Sequence, residues 1–489
     1  MPAPCVLTLA LGLWGVRRQG SMWRDEVVTY DMAHRSLPEL WDTLQNVDAV
    51  HGFYYLLMHA LFDVLGGGVT TLRLPSVLAM TAAAAGVALL GAWVAGERAG
   101  MAAGLVFPLL PLVQEYAQEG RSYALVCALV TWSTYLLVRA LAESPVTVDA
   151  PRLGLFGVPG AARRWWTGYV LVTLAACLLH EFAVLVLAAH GMTVVLSGVP
   201  GAVRRAVRRT WLVAAGVVAA GLAPLALFSM GQSAQLGWIL WPDPVQLVSF
   251  GVLVVVGVLC ARVPVRTRGP VRLRPLALPL LIVPPAALML LSQLKPMYVD
   301  RYVLYCVVGF ALLMGAALDR AFRPLGDDGR ARRRRAGWAL VAVLVALLPA
   351  AVYLRSPQSR TDDATAVVRA VRAAAEPGDG LLFMPARRRV WTRSEPERFR
   401  DLTDLALSRA PDSSRSLYGT EVSADRIRAR MLGTERIVVL SDPRDEPEDE
   451  TSAEIVKRTT LRDSFTQCGT QDVTGARVTV YARPGHCED

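Results

Sequence analysis

Two adjacent carboxylates, Asp25 and Glu26, follow the first apolar segment and are candidates for proton transfer. They lie in the sequence Trp23-Arg24-Asp25-Glu26, ahead of a long polar and aromatic loop. Carboxylates at the edge of a membrane are costly unless they face water or a partner, so they indicate a functional site. Such a group can act as general base toward an acceptor hydroxyl. A second interpretation stays open, in which both acids merely begin and cap the following helix.

The first loop and the polar segments between later apolar runs carry the other candidates for binding a substrate. Arginine holds phosphate through its bidentate fork, lysine holds it as a point charge, and aromatic rings offer flat apolar faces to sugars. The candidate residues are His51, Tyr54, Glu119, Arg121, Tyr123, His180, Glu181, Trp238, Trp241, Lys295, Arg301 and Tyr302. Each alone has a structural explanation, such as a local Glu119–Arg121 ion pair or an aromatic anchor at the interface. Together they predict a polar cavity on one side of a membrane.

The elements that must position these residues are membrane helices. The chain has 489 residues, of which 53% are hydrophobic and only 19% charged, and the apolar residues occur in blocks. Runs of this length predict transmembrane helices. Eleven are expected, at about 2–15, 75–96, 100–114, 122–141, 166–179, 182–198, 211–229, 245–261, 276–291, 302–319 and 338–354. The first is short and is interpreted as a retained helix and not a signal peptide.

Two segments of the first loop are amphipathic and are expected to lie in the membrane interface. They are Leu37 to Leu44 and His51 to Leu65. A helix with one apolar and one polar face suits that position. The loop at 16–74 is therefore assigned to a membrane domain spanning residues 1–355.

The distribution of Lys and Arg predicts the orientation. Loops on the side opposite Asp25 carry 21 basic residues, whereas loops on its own side carry eight. Basic loops remain in the cytoplasm, so Asp25 is expected on the extracytoplasmic face of the membrane. Arg17 and Arg18 lie on the same side as Asp25 and argue against this orientation, but the basic residues of the opposite loops outnumber them. An odd number of spans then places the N-terminus inside and the C-terminal region outside.

Residues 356–489 have a different composition and predict a small, extracytoplasmic α/β domain. A helical pattern from Asp362 to Ala375 alternates with short apolar strands at Leu381 to Met384, Ile437 to Leu440 and Val478 to Tyr481. This length is normal for a domain. Cys468 and Cys487 are the two cysteines of this region, and a pair in an exported domain predicts a disulfide.

The remaining composition excludes several classes. The net charge of +10 comes largely from Arg clusters between apolar runs, and no motif for nucleic-acid binding is found. No cluster of metal ligands is found either, so neither a metal nor a cofactor is expected. Asp362-Asp363 is interpreted as a pair of cap and dipole residues at a helix start.

The ordered set of motifs resembles the GT-C glycosyltransferases of the family 39 type, which include protein O-mannosyltransferases and lipid A aminoarabinose transferases. The resemblance covers about residues 10–320. The matching segments are Trp23-Arg24-Asp25-Glu26, Asp48 to Tyr55, Leu72-Arg73-Leu74-Pro75-Ser76, Gln118 to Tyr123 and Arg301-Tyr302. The family often has His-Pro-Pro where this chain has His51-Gly52-Phe53.

The resemblance implies an integral-membrane, inverting transferase that uses a polyprenyl-phosphate sugar and needs no metal. Asp25 corresponds to the catalytic base, Glu26 assists or positions it, and Arg301 is a candidate phosphate contact. The expected partners are a lipid-linked sugar donor, membrane lipids and an envelope acceptor that is a protein, glycolipid or polysaccharide.

Together with this resemblance, the sequence predicts a glycosyltransferase that transfers a sugar, mannose by preference, from a polyprenyl phosphate to an acceptor on the outer face of a bacterial plasma membrane. Two other classes stay open. A transporter or flippase of lipid-linked sugars predicts ionisable residues near the membrane midplane and pseudo-symmetric halves with broken helices. A membrane scaffold that presents the C-terminal domain predicts that substitution of the acidic pair has no effect.

Overall fold

The computed structural model describes residues 2–144, 160–232, 239–265, 269–323 and 329–487, and the chain divides into two units. The first unit contains Met1–Val16, Val50–Tyr54 and Arg73–Val352. The second contains Arg17–Ala49, Tyr55–Leu72 and Tyr353–Asp489. Most of the first loop therefore belongs to the same unit as the C-terminal region, whereas the sequence analysis assigned the whole loop to the membrane domain.

The first unit is helical. Its helices are α1 (Pro2–Leu13), α5 (Val69–Ala95), α6 (Glu97–Val106), α7 (Pro111–Ala117), α8 (Tyr123–Glu143), α9 (Gly160–Leu179), α10 (Val186–Leu196), α11 (Gly201–Met230), α12 (Pro244–Ala261), α13 (Leu273–Leu291), α14 (Val307–Phe322) and α15 (Gly329–Tyr353). The first four residues of α5 belong to the second unit. In the described part of the chain, seven helical segments are long and apolar enough to cross a membrane. They include α5, α8, α12 and α13, most of α11 and α15, and α14 with the 3₁₀ segment Asp300–Cys306 before it.

Three of the other four predicted spans correspond to shorter or interrupted helices. Helix α1 has 12 residues, and the 3₁₀ segment Glu181–Leu185 precedes the 11 residues of α10. The predicted span 100–114 is divided between α6 and α7, because Pro108 and Pro111 end one helix and begin the next. The fourth predicted span, 166–179, lies within α9.

Burial differs among the apolar helices in the way expected of a membrane protein. In the most apolar window of Asp300–Phe322, 78% of the residues are buried inside the protein, against only 11% in α12 and 6% in Arg334–Tyr353. A helix that exposes most of its apolar residues is stable when lipid covers it. The chain is therefore a polytopic membrane protein, as predicted.

The second unit contains the helices of the first loop and the α/β domain of the C-terminal region. Its helices are α2 (Arg24–His34), α3 (Leu37–Leu44), most of α4 (Gly52–Leu65), α16 (Ala364–Ala374), α17 (Ala424–Leu432) and α18 (Ser452–Ser464). Its strands are β1 (Gly380–Met384), β2 (Thr403–Asp404), β3 (Leu407–Arg409), β4 (Thr420–Glu421), β5 (Arg436–Ser441), β6 (Thr466–Val473) and β7 (Ala476–Ala482).

Five strands form a mixed sheet in the order β2-β1-β5-β7-β6. The neighbours of β1 are parallel to it, whereas β7 is antiparallel to both β5 and β6. Leu382, Ile437 and Val439 of the two central parallel strands are buried in a core with Ile427 and Met431 of α17. The predicted α/β domain is confirmed. Cys468 of β6 and Cys487 after β7 form a disulfide.

Helix α3 has the expected features of an interfacial helix. Ser36 and Glu39 form a capping box at its start, and Pro38 occupies its first turn. Leu37 and Trp41 on its surface are 52% and 64% exposed. Large exposed apolar side chains of this kind suit the boundary between lipid and water.

Candidate active site

Four chain connections of the first unit bring together a set of side chains that we call the arginine-aromatic cluster. The 3₁₀ turn Ala49–His51 before α4 contributes His51, and the α7–α8 connection contributes Arg121 and Tyr123. The other members follow α9 and lie in the 3₁₀ segment before α14. The cluster consists of His51, Arg121, Tyr123, His180, Arg301 and Tyr302, and all but Arg301 are less than 9% exposed.

The rings pack around His180. Its ring centroid lies 4.5 Å from that of Tyr302, 5.5 Å from that of Tyr123 and 6.1 Å from that of His51. Phe182 stacks on Tyr302 with centroids 5.5 Å apart. Contacts at these distances stabilise aromatic pairs beyond the area they bury. The rings therefore fix the connections that carry the two arginines.

Arg121 and His51 are joined by a buried hydrogen bond. The distance from Arg121 Nη2 to His51 Nε2 is 2.9 Å. A guanidinium group can only donate, so His51 Nε2 accepts this bond and the proton of the neutral ring is on Nδ1. Burial, His51, Arg121 and Arg301 together hold the pKa of His180 well below its usual value. The His180 ring is therefore favoured in its neutral form beside the two guanidinium groups.

Arg301 is held from two sides. Its Nε lies 3.3 Å from the hydroxyl oxygen of Tyr123, and its guanidinium carbon lies 5.6 Å and 5.8 Å from the ring centroids of Tyr123 and Tyr302. These distances suit cation–π interactions. The carboxylate of Asp300 accepts hydrogen bonds from the backbone N–H of Arg301 and the hydroxyl of Tyr116. Partly exposed and fixed in this way, Arg301 is suited to bind an anion.

Two residues of the segment Leu72-Arg73-Leu74-Pro75-Ser76, Arg73 and Ser76, hold the backbone next to the cluster. The Ser76 hydroxyl donates to the carbonyl of Glu119 at 2.6 Å and lies 3.3 Å from that of Arg121. Arg73 is fully buried and donates to the carbonyl of Val16 at 2.7 Å. These contacts place the Glu119–Arg121 backbone against the start of α5.

The other predicted substrate residues of the first unit differ in how far they are buried. Tyr54 and Glu119 are buried, and Glu181 is half-buried with its carboxylate accepting from Ser229 at 2.9 Å. Lys295 and Trp241 are exposed in the connections before the 3₁₀ segment and before α12. Trp238 lies outside the described residues.

The predicted catalytic pair lies in the second unit, in the first turn of α2. Trp23 is the N-cap residue and makes no side-chain cap hydrogen bond. Asp25 is partly exposed, with its Oδ1 3.6 Å from Nε of Arg24, whereas Glu26 is fully buried. Carboxylates are favoured there by the helix dipole. Asp25 keeps access to solvent, as a general base requires, and Glu26 does not.

The cap of this turn comes from a distant segment. The carboxylate of Asp362 accepts a hydrogen bond of 2.6 Å from the backbone N–H of Arg24. The neighbouring residue, Asp363, is the N-cap of α16 and accepts from the N–H of Ala366 at 3.0 Å. The two acids predicted to cap one helix therefore cap two different helices.

The far end of α2 is also held by ion pairs. The carboxylate of Asp31 accepts from Nη2 of Arg35 at 2.8 Å and from Nε of Arg393 at 2.7 Å. In the loop after α3, Asp48 accepts a hydrogen bond from the hydroxyl of Tyr55. Among the described residues, no three His, Cys, Asp or Glu side chains are arranged to hold a metal ion.

Two crystal structures of ArnT from Cupriavidus metallidurans are similar to the chain. The apo structure aligns with a TM-score of 0.51 and 11% identity, over 88% of this chain and 87% of that chain. The structure bound to undecaprenyl phosphate aligns with a TM-score of 0.51 and 13% identity, over 98% of each chain. This chain has the GT-C fold. The predicted resemblance is thereby confirmed for the fold, while no protein-family model and no curated protein sequence matches the chain.

Sequence reasoning missed the residues that hold the acidic turn. Asp362 was found as a helix-start residue, but its partner lies 338 positions away. Asp31, Arg35 and Arg393 carried no pattern that distinguishes them from other charged residues. The one usable signal was the Asp362-Asp363 pair itself, since a helix start needs only one N-cap.

Proposed function

We propose that this protein is a membrane glycosyltransferase that transfers a sugar from a polyprenyl-phosphate donor to a hydroxyl of an envelope acceptor. The observation that carries the proposal is the arginine-aromatic cluster, set in a GT-C fold. Fold alone does not establish function, so the chemistry must come from the residues. A pair of guanidinium groups among aromatic rings suits a ligand that combines a phosphate and a sugar.

Arg121 and Arg301 bind the phosphate of the donor in this proposal. Arginine binds phosphate in a planar, bidentate manner, and a buried site strengthens the interaction. The similar ArnT structure was solved with undecaprenyl phosphate, which supports a lipid of this class as the carrier. Lys295 is exposed and shortly precedes Arg301 in the sequence, and it adds a point charge. Tyr123, Tyr302, Tyr54, His51, His180, Glu119 and Glu181 line the donor and acceptor sites.

Asp25 is the general base. It accepts the proton of the acceptor hydroxyl while the hydroxyl oxygen attacks the anomeric carbon of the sugar. The bond between that carbon and the phosphate oxygen breaks, and the electron pair leaves with the polyprenyl phosphate. A single displacement of this kind inverts the anomeric configuration. Glu26 is buried and shapes the turn that presents Asp25. Mannose is the first sugar to test, in line with the family 39 resemblance.

The proposal places the N-terminus in the cytoplasm of a bacterium and the C-terminal domain outside the plasma membrane. The basic residues of the first loop count little against this orientation, because Arg18, Arg35 and Arg73 are only 1%, 4% and 0% exposed. Buried arginines satisfy structural contacts and do not act as topology signals in water. The Cys468–Cys487 disulfide supports an oxidising compartment for the tail.

Transfer should be measured with the full chain purified into lipid. Labelled polyprenyl-phosphate mannose and crude envelope acceptors are supplied to wild type, Asp25→Asn and Asp42→Asn. Asp42 is a matched control, since it lies in the same loop and pairs with Arg415 on the surface. The proposal expects transfer by wild type and by Asp42→Asn, transfer at least about 100-fold slower by Asp25→Asn, and inverted anomeric configuration in the product.

Other outcomes separate the alternatives. Full activity of Asp25→Asn would contradict the role of the base. If wild type transfers no sugar from a panel of polyprenyl-phosphate donors but moves the labelled lipid across the bilayer, the protein is a flippase. Retained configuration in the product would overturn the single displacement.

A further inference from the structure

The segment before α2 and the start of α16 are joined by a series of hydrogen bonds within the second unit. The backbone N–H of Ala364 donates to the carbonyl of Met22 at 2.9 Å, and the N–H of Met22 lies 3.3 Å from the hydroxyl of Thr365. That hydroxyl lies 3.2 Å from the carbonyl of Gly20. The C-terminal domain thus holds the strand of chain that leads directly into the acidic turn.

Asp362 completes this connection with a carboxylate where a neutral side chain would suffice. Ser, Thr and Asn satisfy orphan N–H groups at a helix start without a buried charge. Asp362 is 8% exposed, and burial together with Asp25 raises its pKa to about 6 although Arg24 and Arg388 oppose this rise. A buried carboxylate next to another carboxylate lowers stability. Its charge is therefore unfavourable for folding and calls for another explanation.

The side chain of Asp362 has little room to move. Gly475, in the β6–β7 turn, has a φ of +80°, and a Cβ added to it would lie 2.3 Å from Cβ of Asp362. The carbonyl of Gly475 accepts from Nη1 of Arg388 at 2.8 Å. The backbone N–H of Asp363 donates to the carbonyl of Thr474 at 3.1 Å. This turn of the sheet packs directly against Asp362 and fixes its carboxylate toward Arg24.

We propose that Asp362 is a positioning residue, which fixes the first turn of α2, and with it Asp25, through the backbone N–H of Arg24. The inference rests on the proposed function, in which Asp25 is the base. In this inference the C-terminal domain contributes to catalysis without contacting the substrate, because it fixes the position of Asp25. The groups that face Asp362 are Arg24 and Asp25 on α2 and Arg388 in the 3₁₀ segment Ala386–Ser394.

The charge state of Asp362 gives this role a signature in pH. Above pH 6 the carboxylate is ionised and makes a charge-assisted hydrogen bond to the N–H of Arg24. Below pH 6 it is protonated, and the bond weakens to that of a neutral acceptor. Asp362→Asn reproduces the neutral acceptor at every pH. The turnover of wild type and variant should therefore differ most above pH 6 and converge below it.

The test compares Asp362→Asn, Asp362→Ala and Asp363→Asn in the full chain, with Asp25→Asn assayed alongside. Asp363→Asn is the matched control, because Asn is as good an N-cap as Asp and keeps α16 intact. At pH 7.5 we expect kcat to fall about 10-fold for Asp362→Asn and about 100-fold for Asp362→Ala, since a small displacement of a catalytic group costs this much. KM for the lipid donor and the activity of Asp363→Asn should stay at wild-type values.

Hydrogen–deuterium exchange of the peptide containing Arg24 supplies a readout that needs no substrate. Exchange should be faster in Asp362→Ala than in wild type and unchanged in Asp363→Asn. Wild-type kcat in both Asp362 variants, with Asp25→Asn inactive, would overturn the positioning role alone. An equal loss of kcat at all pH values would reduce Asp362 to a structural residue and also overturn it. A fully active Asp25→Asn would overturn both this inference and the proposed base.

Discussion

The arginine-aromatic cluster of the first unit and the acidic turn of the second hold their charges by different means. Rings packed 4.5–6.1 Å apart fix the two arginines of the cluster. The acidic turn is fixed by a hydrogen bond from the backbone of Arg24 to Asp362 of the C-terminal domain, and the far end of α2 is held by an ion pair between Asp31 and Arg393. Ring packing responds little to pH or salt, whereas charged networks respond to both. The difference teaches that the two proposed roles, phosphate binding by the cluster and proton transfer by the acidic turn, can be tested by separate substitutions.

The largest expected effect is on the acidic turn, through Asp25→Asn. The variant keeps the size of the side chain but cannot accept the proton of the acceptor, so kcat should fall about 10²- to 10⁴-fold. The rate of sugar transfer from the lipid donor measures this effect. A loss of similar size in Asp42→Asn, with both proteins folded, would show that the whole loop is merely fragile.

The second effect is on the stability of the domain that holds the acidic turn. Lys457 is fully buried and pairs with Glu421 and Glu454 at 2.9 Å and 2.7 Å. Lys457→Met leaves these carboxylates without that cation, and we expect a loss of about 3–5 kcal/mol in the free energy of unfolding.

Thermal unfolding of the purified chain measures this loss, and an exposed pair gives the control. Arg400, whose side chain is 73% exposed and pairs with Glu397, should contribute only about 0–1 kcal/mol when replaced by Ala. Equal shifts for Lys457→Met and Arg400→Ala would contradict the view that a buried ion network holds the domain.

Asp362 should make stability and activity respond to pH in opposite directions. Its pKa is raised from 3.8 to about 6 in the folded protein, so the protonated form favours folding. This contribution is complete below pH 3.8 and is lost as the pH rises through 6, and it amounts to about 3 kcal/mol. Asp362→Asn lacks it. The difference in unfolding temperature between wild type and variant, measured from pH 4 to 7, should therefore change in favour of the variant as the pH rises.

Groups other than Asp362 titrate in both proteins and cancel in that difference. A constant difference between pH 4 and 7 would mean that Asp362 does not carry the shifted pKa. If wild type also has a higher kcat than Asp362→Asn above pH 6, then Asp362 lowers the stability of the protein while it raises the activity of the site.

The cluster could be predicted from the sequence because its members interrupt apolar runs. His180, Tyr123 and Arg301 each fall where a membrane helix ends or begins, and such connections on one side of a bundle converge. Sequence reasoning could not give the pairing of Arg121 with His51, which depends on the fold of a segment 70 residues away.

In the C-terminal domain, too, some features could be predicted from the sequence and others could not. Strands β1, β5 and β7 are short apolar runs and were predicted close to their observed bounds. Strand β6 was missed because it lies at the edge of the sheet and seven of its eight residues are exposed, so it has no apolar alternation. The cap from Asp362 to Arg24 was missed because local patterns carry no information about a partner 338 residues away.

Binding of undecaprenyl phosphate to the purified chain tests the central claim most directly, that the cluster binds the donor phosphate and the acidic turn does not. We predict that Arg301→Ala and Arg121→Ala raise the dissociation constant about 10- to 100-fold. Asp25→Asn should leave it unchanged, as should the control Arg323→Ala, whose side chain pairs with Asp319 outside the cluster. Wild-type affinity in both cluster variants, or a loss of affinity confined to Asp25→Asn, would contradict the account.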